Sequence, residues 1–153
     1  MILNELLTKQ KFLNNILLKN GNKELSKGLK MKIILNRVNY SKIRDKFDEE
    51  VQNFIQTLST NEIRQLQNKS ELSDEEKNKL EELSIEANDK YSKFLSDIGN
   101  KNVEFFEEKL TYKDFEEIVE VNADNDVEIN NNKLSAAYFL EVFYTLFIIN
   151  NEN

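Results

Sequence analysis

No proline occurs in the 153 residues, and only Gly21, Gly28 and Gly99 lack a side chain. Proline breaks a helix by removing a donor and clashing with the preceding turn, and glycine weakens one by about 1 kcal/mol. A chain with so few interruptions can run long helices, whose ends must be set by caps and by the apolar pattern. Apolar residues make up 39% and charged residues 32%, which suits elongated helices with wide solvated faces better than a thick core. The length is that of one domain, and a domain of this size buries roughly 70% of the surface its unfolded chain exposes.

The apolar spacing supplies the helices. Leu3, Leu6, Leu7, Leu13, Ile16 and Leu17 share one helical face over residues 2–19. Asn20-Gly21-Asn22 then provides a stop and a turn. Over 23–58, the residues Leu25, Leu29, Ile33 or Ile34, Val38, Ile43, Phe47, Val51, Phe54 or Ile55, and Leu58 recur every three to five positions. That predicts a helix of roughly 50 Å, much of it packed antiparallel on the first as a helical hairpin. Ser59-Thr60 with Glu62 caps a short continuation ending near Ser70. Ser73 followed by Asp74, Glu75 and Glu76 is an N-cap with its capping-box glutamate. From there Leu80, Leu83, Ala87, Tyr91, Phe94 and Ile98 form a heptad-like seam closed by Gly99-Asn100.

Beyond residue 100 the period changes. Val103 and Phe105 alternate with Glu104 and Phe106, predicting a short strand over 102–110. Thr111 caps a brief helix over 112–121, residues 126–130 form a second short strand, and Ser135 caps a closing helix over 136–149 that is apolar on most sides. No repeat of 20 to 50 residues is visible. The expected fold is mainly α: a long antiparallel helical hairpin plus a third helix over 1–100, and a small α+β cap over 101–153 with two short strands and the closing apolar helix, all one folding unit.

Chemistry is narrowed by what is missing. With no cysteine and no histidine, thiolate nucleophiles, disulfides, imidazole bases and most transition-metal ligand sets are excluded. The run Asn122–Glu128 looks like a calcium loop, but counting from Asn122 puts Val127 where the turn glycine belongs and Lys133 where a bidentate glutamate belongs. Counting from Asp124 puts Ile129 and Ser135 there, so the run reads as a polar turn. The pairs Glu107-Glu108 and Glu116-Glu117 sit at adjacent positions that point different ways, so they read as a solvated acidic face. The expectation is a protein without enzymatic activity, cofactor or metal. The run 136–149 is too short for a bilayer span of ~20 residues and reads as a core helix. The first residues show no secretory signal, so function inside a cell, or a particle assembled there, is expected.

Charge is split along the chain. Residues 1–46 hold 11 basic and three acidic side chains, a net of +8, and residues 47–153 hold 10 basic and 25 acidic, a net of −15. Such polarity suits contact between copies of the chain or two different partners. The basic residues of the second segment spread around the helix, no nucleic-acid-binding motif accompanies them, and the sequence pI is about 4.8, so nucleic acid is disfavoured. The candidate contact residues are Lys23, Lys27, Lys30, Arg37 and Arg44, with Phe105, Phe106, Tyr138 and Tyr144 from the aromatic-rich C-terminal third. Lysine makes up 18 of the 21 basic residues and asparagine is abundant, which reads as a compositional bias of the source.

The opening Leu3-Asn4-Glu5-Leu6-Leu7, the lysine-rich hairpin, the acidic second helix, the Val103-Glu104-Phe105 strand and the closing Leu134-Ser135-Ala136-Ala137-x-Phe139-Leu140 helix together resemble small proteins encoded among the structural genes of tailed phages and prophages. Residues 59–72 are longer than that pattern. The resemblance implies a virion structural or assembly protein at the tail or head-to-tail connection. Its partners would be other virion proteins or copies of itself in a homo-oligomer, and its location the virion or host cytoplasm. The alternative from a different class is a small inhibitor or adaptor binding a host protein through its acidic surface.

Overall fold

The computed structural model describes residues 1–151, and hydroxyl caps set most of its helix starts. In chain order the elements are α1 (Leu3–Asn14), β1 (Lys19–Asn20), β2 (Lys23–Glu24), α2 (Lys27–Leu58), α3 (Asn61–Gln67), α4 (Asp74–Gly99), α5 (Tyr112–Asn122), β3 (Val127–Ile129), β4 (Asn132–Leu134), α6 (Ala136–Phe147) and a final 3-10 turn (Ile149–Asn151). Thr60, Ser73, Thr111 and Ser135 each accept a backbone N–H from the first turn of the following helix, and Ser73 and Thr111 complete capping boxes with Glu76 and Asp114. The mainly helical fold with its long α2 and α4 agrees with the sequence expectation, and the strand expected over 126–130 forms as β3.

Contacts gather the chain into two units, one of Met1–Arg44 together with the chain from Val103 onward, the other of Asp45–Asn102. In the first unit, Leu13 of α1 and Ile16 just beyond it share a core with Leu29, Ile33 and Tyr40 of α2, and with Phe139, Phe143 and Phe147 of α6. Phe12 stacks on Phe139 at 5.2 Å, and Phe143 stacks on Phe147 at 4.4 Å. Each such buried aromatic contributes about 1.5–3 kcal/mol of transfer free energy, so α6 lies at the centre of this unit, as its apolar circumference predicts.

The element order repeats without a visible repeat in the sequence. Helix, β-hairpin, helix occurs twice in this unit, and a shift of 109 residues carries Leu3 onto Tyr112 and Lys27 onto Ala136, the starts of the four helices. Each hairpin turns through the left-handed region, at Gly21 (φ 61°) in one and Asn130 and Asn131 (φ 53° and 64°) in the other. Leu25-Ser26 follows the first ladder and Leu134-Ser135 closes the second. The first hairpin, where only a turn was expected, pairs Lys19 with Glu24 and Asn20 with Lys23. The two halves interlock through asparagine. The Asn122 amide donates to the Leu17 carbonyl (3.2 Å) and accepts the Leu17 N–H (2.8 Å), while Asn20 donates to the Val121 carbonyl (3.2 Å).

The strand expected over 102–110 does not form. Asn102 makes an isolated bridge and 103–110 is a strap without helix or ladder. Its backbone is bonded by α2 side chains instead. Asn36 donates to the Glu108 carbonyl (2.8 Å) and accepts the Glu108 N–H (2.7 Å), and Asn39 donates to the Phe106 carbonyl (3.0 Å). A segment whose backbone groups are satisfied this way needs no neighbouring strand.

In the second unit the far half of α2 and α4 lie antiparallel, with Phe54 stacked on Phe94 at 4.1 Å and Leu58 and Leu83 lining one shallow cleft. Val51 and Ile98 are its buried apolar side chains, and α3 buries none.

Candidate interaction surface

The second helix of the chain has two apolar faces. Its inward positions are Leu29, Ile33, Asn36 and Tyr40, all at most 2% exposed. With Leu29, Ile33, Asn36 and Tyr40 taking the inward turns of the helix, the other apolar residues from Met31 to Val38 are directed outward. Met31, Ile34, Leu35 and Val38 are 51%, 43%, 41% and 46% exposed. Steps of three, one and three place them in one stripe along the helix. Val38, expected on the buried face, is therefore outside, and of the Ile33/Ile34 pair it is Ile33 that is buried. Sequence counting held a signal for this: α2 carries more apolar residues between Leu29 and Val38 than one face can hold.

Along α2 itself the charge beside the stripe has one sign. No acidic residue occurs from Lys27 to Arg44. Lys27 and Lys42 are exposed and stand one helical turn beyond Met31 and Val38, in line with the stripe. Lys30 is engaged by Glu24, whose pKa this hydrogen bond lowers. Lys32 lies 2.7 Å from Asp114, and also donates to the Lys109 carbonyl at 3.3 Å. Burial raises the Asp114 carboxyl, but Lys32 and the Thr111 N–H outweigh it and hold the pKa below its ordinary value.

The expected contact residues fall in several places. Lys23 and Lys27 are exposed, on β2 and the first turn of α2. Arg37 turns inward and donates to the carbonyls of Leu13 (3.0 and 3.2 Å) and Ile16 (2.5 Å), satisfying the C-terminal end of α1. Burial lowers its pKa. Arg44 is half-buried and engaged. Phe105 packs against Tyr40 at 5.1 Å, whereas Phe106 is 66% exposed and fixed through its carbonyl to Asn39. Tyr138 is exposed, and Tyr144 is half-buried against Phe115 at 4.9 Å.

A polar cluster pins the strap from below. Lys9 is 2.8 Å from one oxygen of Glu107 and 3.1 Å from the other, with side chains 1% and 14% exposed. The Tyr40 hydroxyl donates to the same carboxylate, and the Lys9 ammonium sits 4.7 Å from the Phe147 ring centroid. Burial and the Glu107 charge push the Tyr40 pKa well above its ordinary value. Sequence reasoning missed this cluster because Lys9 and Glu107 each look like ordinary surface charges. Among the described residues no three His, Cys, Asp or Glu side chains gather as a metal site, and no helix is long and apolar enough to cross a membrane. No protein-family model, curated protein or solved structure matches the chain.

Proposed function

We propose that this protein works without catalysis, by binding other proteins, as a structural or assembly component of a tailed phage or prophage. The single observation that carries the binding reading is the exposed stripe of Met31, Ile34, Leu35 and Val38. Four apolar side chains in register on one exposed helix face are more than scattered surface hydrophobics, and such patches serve as interaction sites. The phage setting rests on the resemblance of the Leu3–Leu7 opening and the Leu134–Leu140 helix. The split of +8 against −15 between residues 1–46 and 47–153 favours assembly with other copies or neighbours in a particle.

The second reading, an inhibitor or adaptor for a host protein, is favoured by the exposed acids Glu81, Glu82, Glu86 and Asp89 on α4. Solution mass at low and high salt, together with blotting of purified particles, separates the two. A structural component is expected to oligomerise at low salt, loosen as salt rises and sediment with particles. A monomer at both salts that never enters particles sinks that assignment and leaves the inhibitor. Turnover of a small molecule by the purified protein would overturn both.

A further inference from the structure

We infer that the α2 stripe is the seat for an acidic amphipathic helix of a different protein, laid along Met31, Ile34, Leu35 and Val38 with its carboxylates against Lys27 and Lys42. The inference rests on the binding reading above and adds the chemistry of the partner.

The shape comes first. Outward residues at i, i+3, i+4 and i+7 of a helix, each 41–51% exposed, offer the row of apolar positions into which the i, i+3, i+4, i+7 anchors of a second helix fit. Charge then selects the occupant. The stripe lies in a stretch of α2 with basic residues and no acid from Lys27 to Arg44, and the bracketing acids Glu24 and Asp45 lie beyond its ends. Lys27 and Lys42 have no ion-pair partner among the described residues and are exposed, so both ends present a lysine ammonium that no carboxylate engages directly. A helix with acids one turn outside its apolar anchors meets that charge, and a basic one is repelled.

A second copy of α2 is a poor occupant. Two stripes paired antiparallel about the Ile34–Leu35 midpoint set Lys27 of each copy opposite Lys42 of the other, and parallel pairing sets each lysine opposite itself. The acidic face of α4 from another copy is also a poor match, because Ile85 is its exposed large apolar residue.

The test uses the full chain and a displayed library of helical peptides with apolar residues fixed at i, i+3, i+4 and i+7 and flanking positions randomised over Glu, Gln, Ser and Lys. The expected result is enrichment of peptides acidic at the flanks. Their affinity should fall at least tenfold with Ile34→Ser/Val38→Ser and with Lys27→Glu/Lys42→Glu, and weaken as salt rises. These positions are exposed, and the circular dichroism of each variant verifies its fold. No enrichment, enrichment without acidic bias, or equal binding to the serine variant overturns the inference. So does a dimer of the free protein that Ile34→Ser/Val38→Ser dissociates, since a second copy then covers the stripe. Assembly or particle incorporation with an unused stripe would sink this inference and leave the assembly reading resting on the charge split alone.

Discussion

The side-chain amide of Asn36 holds the backbone of Glu108 by two hydrogen bonds, giving to its carbonyl at 2.8 Å and taking from its N–H at 2.7 Å. One amide thereby does what a neighbouring strand would do for one residue of the strap. Asn36 is 0% exposed, so water cannot readily replace it. Asn36→Leu should destabilise the first unit by about 2 kcal/mol, since a lost hydrogen bond leaves its partners unsatisfied. Asn39→Leu, which loses one more exposed bond to Phe106, should cost less. Urea unfolding of both variants checks the order, and equal midpoints would remove the strap's dependence on Asn36.

Lys9 and Glu107 make a prediction by subtraction. Removing one member of a buried pair leaves the other charge without its partner, at about 3–5 kcal/mol, whereas replacing both with apolar residues of similar size is often close to neutral. Lys9 at 1% exposure fits the buried case, and Glu107 at 14% retains some water. Lys9→Met should therefore cost about 3 kcal/mol, and Lys9→Met with Glu107→Leu clearly less than the two single changes summed. A double-mutant cycle by denaturant melts measures this. Additivity would mean that the pair is not coupled.

Stability should fall at both ends of the pH scale for separable reasons. The Asp114 carboxyl is held below its ordinary pKa, so its contribution is present above the unfolded value of about 3.9 and is lost as pH falls through the lower folded value. Asp114→Asn should make the acid decline shallower below about pH 4. Tyr40 is raised, so its contribution is complete below the unfolded value of about 10 and is lost as pH rises beyond it. Tyr40→Phe should flatten the alkaline decline. Urea midpoints across pH give both profiles, and unchanged limbs would show that other groups set them.

The helices were legible because caps and apolar spacing are local. Ser73, Thr111 and Ser135 announce their helices within three residues, and the structure starts each helix at the following position. What was not legible depends on residues far apart in sequence. The asparagines looked like composition, yet Asn36, Asn122 and Asn20 bond backbone 72, 105 and 101 residues away. The repeat escaped because equivalent helix positions differ in kind: the 109-residue shift sets Lys9 against Ile118 and Leu13 against Asn122. The outward stripe escaped for a related reason. Periodicity reports how many apolar residues a helix has, but it was Asn36 and Tyr40 at inward positions that decided which face they occupy.

Two glycines should respond in opposite directions to the same substitution. Gly21 sits at φ 61° in the first hairpin turn, where a Cβ meets no atom within 4 Å. The obstacle there is backbone conformation alone, and Gly21→Ala should cost about 1 kcal/mol. Gly28 lies in the first turn of α2, also with nothing within 4 Å of an added Cβ. Alanine restricts the unfolded chain and favours the helix, so Gly28→Ala should stabilise by about 0.5–1 kcal/mol. For a chain of this length the two changes should move the melting temperature apart by about 4–6 °C. Shifts of the same sign would mean that the hairpin turn does not hold Gly21 in the left-handed region in solution, or that Gly28 lies outside the helix there.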